Sequence, residues 1–283
     1  MGVFMEKLKT YLELIRVKNC ITASIGGIIG YLISSNFEID ILKSLLVFFV
    51  VFFVCAYGNV INDIFDIEID RINKPSRPLP SGKIKLNEAK KFSAILLILG
   101  LVLSLFINIY ALIIAVINAL FLYLYAKKYK KYKPIGNFII GYLTGSVFLF
   151  GGVAGKNVMP VVILFLCSLL SIWGREIVKD FEDMEGDKKE GVISLPIKYG
   201  KKSLYFATFL VVLAVILSPL PYILKIFGIW YLILIAICDI LFIYAMALLL
   251  KEPNKETASK VSKFLKIIMN IVLLAFIVGA IKL

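Results

Sequence analysis

Residues 59–82 read NVINDIFDIEIDRINKPSRPLPSG, an apolar segment that runs directly into the three aspartates Asp63, Asp66 and Asp70. At about 100° per residue on an α-helix, Asn59, Asp63, Asp66 and Asp70 fall within about 60° of one another, while Glu68 points nearly the opposite way. One face is therefore built to hold positive charge. The same offsets, three then four, recur at Asp180, Asp183 and Asp187 in residues 175–191, REIVKDFEDMEGDKKEG, again where an apolar run ends. The matching spacing suggests a pseudo-repeat in which the two apolar runs are equivalent and point the same way.

Composition settles the class. A chain of 283 residues that is 60% hydrophobic, with mean hydropathy +0.93, carries more apolar side chain than a soluble domain can hide. The expected fold is all-α, a polytopic membrane protein forming one domain over 1–283. At about 20 residues per crossing, nine spans are expected near 17–34, 42–62, 92–107, 109–126, 135–154, 158–175, 203–222, 228–250 and 262–281, joined by segments that cap the mouth. Asn108 supplies the break in the long run 92–126. Met1–Arg16 lacks the apolar core and cleavage site of a signal peptide and reads as an interfacial helix.

The formal charge of +13 does not point to nucleic acid, because the lysines sit between apolar runs. With nine spans, 28 of the 32 Lys and Arg residues fall on the side of the N-terminus. The positive-inside rule then puts the N-terminus and the aspartate mouth in the cytoplasm and the C-terminus outside. The cysteines Cys20, Cys55, Cys167 and Cys238 lie in apolar runs without ligand spacing and read as core residues. Histidine is absent, which excludes a histidine base or metal ligand.

Eleven of the 19 acidic residues lie in 63–70 and 176–190. Carboxylates at membrane depth are costly and mark function, and a converging set needs cations. Oxygen ligands alone favour Mg²⁺, which takes part of its shell from substrate phosphate. The interleaved Arg71, Lys74, Arg77, Arg175, Lys179, Lys188 and Lys189, with Lys127, Lys128, Lys130, Lys131 and Lys133 between the two segments, suit a diphosphate.

The pair NDIFDIEIDRINKPSRPLPSG and KDFEDMEGD, in a chain of this span count, resembles the UbiA superfamily of intramembrane prenyltransferases. Asn62, Asp63, Asp66 and Asp70 match the first family motif, and Asp183 and Asp187, preceded by Lys179 and Asp180, match the second. The flanks look like the branch that holds the archaeal ether-lipid enzyme and the chlorophyll and homogentisate prenyltransferases. Other branches carry an Arg-Thr pair where Asn73, Lys74 and Pro75 stand. The resemblance implies two Mg²⁺ ions held by Asp63, Asp66, Asp70, Asp180, Asp183 and Asp187. The implied donor is geranylgeranyl diphosphate and the implied acceptor a phosphorylated glycerol ether, with an aromatic acceptor as the alternative.

On that reading Asn59, Asn62, Arg71, Lys74, Arg77 and Lys179 serve the substrate, and Arg16 and Lys18, helped by Asn19, seat the acceptor phosphate. Lys130 and Asn137 stand where the family carries a basic residue and a Gly-Asn pair. Tyr57, Tyr142 and Phe148 are aromatic candidates for shielding an allylic cation. A cation transporter is the competing class. It would place ionisable groups near the bilayer midplane, where the spans are clean apart from Asp239.

Overall fold

The computed structural model describes residues 2–281, with side chains from residue 5 onward. Met1, where the expected interfacial helix begins, and the last two residues of the expected domain lie outside the described residues. The chain forms the helices α1 (Gly2–Leu14), α2 (Val17–Ser34), α3 (Ile41–Phe65), α4 (Ile67–Asn73), α5 (Leu86–Leu105), α6 (Ile109–Leu124), α7 (Lys133–Gly152), α8 (Met159–Glu182), α9 (Met184–Lys189), α10 (Leu195–Tyr199), α11 (Lys202–Leu217), α12 (Leu220–Ile223), α13 (Ile229–Lys251) and α14 (Lys255–Ala280). Among the described residues there is no strand; a single bridge joins Tyr132 to Ile193.

Eight helices are, among the described residues, long and apolar enough to cross a bilayer: α2, α3, α6 with its extension to Tyr129, α7, α8, α11 with α12, α13 and α14. The sequence reading counted nine. The difference is α5, which has 20 residues but opens on Glu88, Lys90 and Lys91, so its apolar part is short. The break expected at Asn108 is present and has a cause. Its side chain accepts a hydrogen bond from the Ala111 amide at 2.9 Å and donates to the Val153 carbonyl at 2.7 Å, capping α6 and tying it to the end of α7. The last span starts earlier than expected, at Lys255, because Asn254 caps it through the Thr257 amide.

α1 buries Leu14 and leaves Leu8 and Leu12 exposed, an apolar edge suited to a membrane surface. Arg16 then takes a left-handed conformation, φ 52°, which turns the chain sharply into α2.

Small residues set the approach of the central helices. A Cβ at Gly30 would stand 2.2 Å from the Phe148 carbonyl oxygen, and one at Gly151 would stand 1.8 Å from the Gly27 carbonyl oxygen. Backbone-to-backbone contact of this kind is what small residues provide between helices in lipid. Gly151→Ala should therefore lower the stability of the purified chain by about 1–3 kcal/mol, read as loss of monodisperse protein on heating in detergent. Gly186→Ala, where nothing lies within 4 Å, should leave the midpoint unchanged.

Candidate active site

Both aspartate motifs lie where a long helix breaks and restarts. α3 stops at Phe65, Asp66 takes φ −88° and ψ 1°, and α4 begins at Ile67. α8 stops at Glu182, Asp183 takes φ −91° and ψ 2°, and α9 begins at Met184. The hydrogen bonds Asp70 to Asp66 and Asp187 to Asp183 carry the helical spacing across each break. The breaks thus fall at equivalent positions of the two motifs, as the spacing suggested.

Asp63, Asp66, Asp70 and Asp180 are buried, and each finds a partner. Arg16 donates to Asp63. Arg77 reaches Asp70 at 2.6 Å and Asp63 at 3.4 Å. The turn over 74–85 makes this possible, because its Leu79 and Ile84 are buried in a core cluster with Leu14, Ile15 and Val60. The prolines stop the helix, Leu79 anchors the return, and Arg77 is delivered over both carboxylates. Asp66 is held by Lys130 and, at 2.9 Å, by Asn62.

The second motif repeats the arrangement. Lys133 donates to Asp180 at 2.8 Å and to Asp187 at 2.6 Å, and Asn137 donates to Asp180 at 2.7 Å. The bridge at Ile193, bonded to the Lys131 carbonyl and the Lys133 amide at 2.9 Å each, fixes this corner. Arg16 precedes Asp63 by 47 residues and Lys133 precedes Asp180 by 47. Each half of the pseudo-repeat therefore neutralises its first aspartate with a basic residue from the start of the preceding long helix. Asp183 is exposed, and among the described residues its carboxylate has no hydrogen bond or ion pair.

Two polar cavities result. One, of about 340 Å³, is lined by Arg16, Asn59, Asn62, Asp66, Asp70, Lys74, Arg77, Tyr125 and Lys130, among others. The other, of about 130 Å³, is lined by Asn137, Glu176, Lys179, Asp180 and Asp183, and again by Tyr125 and Lys130. A π-helical turn over Tyr125–Tyr129, closed by the Lys130 amide on the Tyr125 carbonyl at 2.9 Å, brings these two residues to one wall. On a regular α-helix, positions five apart diverge by about 140°; the wider turn narrows that angle.

Each polar cavity abuts an apolar one. A chamber of about 660 Å³, lined from α2, α3, α6, α7 and α14, meets the first at Leu122. A chamber of about 320 Å³ meets the second at Ile140 and Glu176. The two chambers share Thr144, Phe148, Lys266, Asn270 and Leu273.

The remaining sequence candidates separate. Asn59 donates to the Ile15 carbonyl at 2.8 Å and holds the α1 to α2 turn against α3. Asn19 lines the larger apolar chamber. Lys18 is exposed and lines none of these cavities. Arg71 is exposed and turned to Glu68 at 2.9 Å, away from the carboxylates. Tyr142 packs edge-on against Phe121 and Phe165 and Tyr57 lies in the core, whereas Phe148 lines both apolar chambers. Asp239 lines the smaller chamber and accepts from Ser218 at 2.7 Å. Lys133 and Tyr125 carry more of the site than the sequence reading gave them. The equal spacing from Arg16 to Asp63 was the signal available for Lys133.

Among the described residues no three carboxylates come together as a closed metal cage. The donor set still fits Mg²⁺, since every ligand is a hard oxygen and this ion seldom takes its whole shell from protein. Asp66 and Asp70 on one side and Asp180 and Asp183 on the other face the cavities that would hold it, and Lys130 now supplies positive charge at Asp66.

A helical bundle with paired aspartate helix ends above apolar chambers is the form of an intramembrane prenyltransferase, and this chain belongs to the UbiA prenyltransferase family, whose model matches residues 23–273. It is a multi-pass membrane protein. Over 275 residues it is 58% identical to the digeranylgeranylglyceryl phosphate synthase of Methanococcus aeolicus, covering 97% of this chain and 98% of that one. To the synthase of the same name from Methanosarcina mazei it is 46% identical over 289 residues, covering 96% and 98%. The fold is shared with a UbiA homolog from Aeropyrum pernix (TM-score 0.68, 21% identity, 91% of this chain and 98% of that one). It is shared also with a UbiA homolog from Archaeoglobus fulgidus bound to GPP and Mg²⁺ (TM-score 0.62, 17% identity, 94% and 99%).

Lys133→Met leaves Asp180 and Asp187 without their shared cation and should cost about 3–5 kcal/mol, the penalty for orphaning a buried charge. Adding Asp180→Asn should recover part of that loss, measured as the thermal midpoint in detergent.

Proposed function

We propose that this chain transfers a geranylgeranyl group from geranylgeranyl diphosphate to the free hydroxyl of geranylgeranylglyceryl phosphate, with Mg²⁺ as cofactor. The reaction forms the second ether bond of an archaeal-type lipid. The observation that carries the reading is the shared wall of Tyr125 and Lys130, which joins the two carboxylate cavities at one end of the bundle, directly over apolar chambers. The names of the relatives support the acceptor, and the GPP and Mg²⁺ bound by the Archaeoglobus fulgidus homolog support the donor class and the ion.

In this mechanism Arg16, Lys74, Arg77 and Lys130 meet the diphosphate oxygens with charge-assisted hydrogen bonds. Asp66, Asp70, Asp180 and Asp183 hold Mg²⁺, two ions in our reading, which when bound supplies Lewis-acid stabilisation of the leaving group. Asp63 and Asp187 act mainly by positioning Arg16, Arg77 and Lys133. The prenyl chain lies in the apolar chambers, which keep water from the allylic carbon. The acceptor hydroxyl oxygen bonds to C1 of the donor as the bond from C1 to the diphosphate breaks. Its proton passes to the diphosphate or to an aspartate oxygen not used by Mg²⁺. We place the N-terminus and the mouth in the cytoplasm and the C-terminus outside, with α5 as a ninth crossing, the segments 74–91 and 186–202 as caps, and the whole chain as one domain.

Purified chain given radiolabelled geranylgeranyl diphosphate should label the glyceryl phosphate acceptor and none of 4-hydroxybenzoate, dihydroxynaphthoate or homogentisate; label on an aromatic acceptor would overturn the assignment. EDTA should abolish turnover and Mg²⁺ restore it. Asp63→Ala and Asp183→Ala should each lower turnover by at least about 100-fold in protein that still elutes as a folded species.

A further inference from the structure

On the proposed function the acceptor carries a phosphate of its own, besides the diphosphate of the donor. Arg16, expected from the sequence to seat it, lines the cavity assigned above to the donor diphosphate, and Lys18 lines none of the cavities described above. A different cation is placed to do so. Lys266 lies 11 residues into α14, within a membrane-spanning segment, about 16 Å from Lys255 at 1.5 Å per residue. It is the one charged side chain in the lining of the larger apolar chamber, and it lines the smaller one as well.

A lysine at that depth is costly without a counter-ion. Among the described residues the Lys266 ammonium has no hydrogen bond or ion pair. The acids and the other cation of the neighbouring chamber are already engaged: Glu176 pairs with Arg175 at 2.7 Å, Arg175 also donates to the Ser262 carbonyl, and Asp239 accepts from Ser218. A second polar group in the larger chamber is also unmet. Asn118, on α6, is buried, and its Oδ1 has no hydrogen-bond partner among the described residues. A chamber meant only for hydrocarbon would carry neither group.

Side chains on a helix lean toward its N-terminus. For α14 that end lies on the side of the carboxylates, since Ser262, one turn before Lys266, meets Arg175 below Asp180. That lean would carry the ammonium from the junction of the apolar chambers toward the carboxylate end of the bundle.

We propose that Lys266 is the seat of the acceptor's phosphate monoester. It anchors a lipid whose hydrocarbon occupies the apolar chambers and whose free hydroxyl is turned toward the donor. This inference rests on the proposed function, because it takes the acceptor to be phosphorylated.

The test compares wild type, Lys266→Met and Lys266→Arg in detergent, each with geranylgeranylglyceryl phosphate and with the same lipid lacking phosphate. Loss of a charge-assisted contact should raise the acceptor KM of Lys266→Met about 10- to 100-fold. The donor KM should stay within about twofold of wild type. Lys266→Arg should restore most of the loss, and the wild-type preference for the phosphorylated lipid should disappear in Lys266→Met. An unchanged acceptor KM, or a preference kept in full, would show that Lys266 only reaches for the membrane surface. Wild-type protein inactive on the phosphorylated lipid but active on the dephosphorylated one would sink the proposed acceptor, and this inference with it.

Discussion

Burying carboxylates inside a membrane bundle is the constraint to which the rest of this structure answers. Negative charge at that depth survives only beside positive charge, and the chain supplies it by the same device in each half. A basic residue at the start of one long helix reaches an aspartate near the end of the next, from Arg16 to Asp63 and from Lys133 to Asp180. Those ion pairs tie the starts of α2 and α7 to the ends of α3 and α8. The tight turns around them follow from the need to hold the pairs in register. The left-handed Arg16, the anchored 74–85 return and the Tyr132 to Ile193 bridge all lie within a few residues of a cation that must arrive at a fixed place.

The six aspartates of the two motifs differ in status. Asp66 and Asp183 sit at the helix breaks, and Asp183 has no cationic partner. A polar site already saturated with salt bridges would have little left to offer a charged ligand. Here Asp63 and Asp187 hold cations without lining a cavity, Asp66, Asp70 and Asp180 hold cations and also border the cavities, and Asp183 borders one with its carboxylate unpaired among the described residues.

Much of this was legible in the sequence. The aspartate spacing fixed one face per motif, and the hydropathy runs located most spans within a few residues. Asn108 marked a break near the middle of the long run 92–126, and its side chain caps the helix that follows. What escaped the reading depended on packing across the bundle. Arg71 follows the first motif directly, yet it sits on the face opposite the carboxylates, where Glu68 takes it. Tyr142 is an aromatic near the site whose neighbours are Phe121 and Phe165 rather than a cavity. Tyr125 and Lys130 share a wall only because of a π-helical turn, which residue spacing does not announce. Lys266 reads in sequence as one more lysine of a charged helix start, and only its position at the meeting of the two chambers distinguishes it.

The glycine crossing of α2 and α7 bears on how long a hydrocarbon tail the protein can take. At Gly30 and Gly151 the two main chains already touch, so no trimming of side chains can move that contact, and it acts as a fixed stop beside the larger chamber. Room for a longer tail can come only from bulk that is removable, such as the rings of Phe148 and Phe150 in the chamber wall. The crossing makes the bundle a gauge with one immovable jaw, and tail length becomes a matter of which rings line the other.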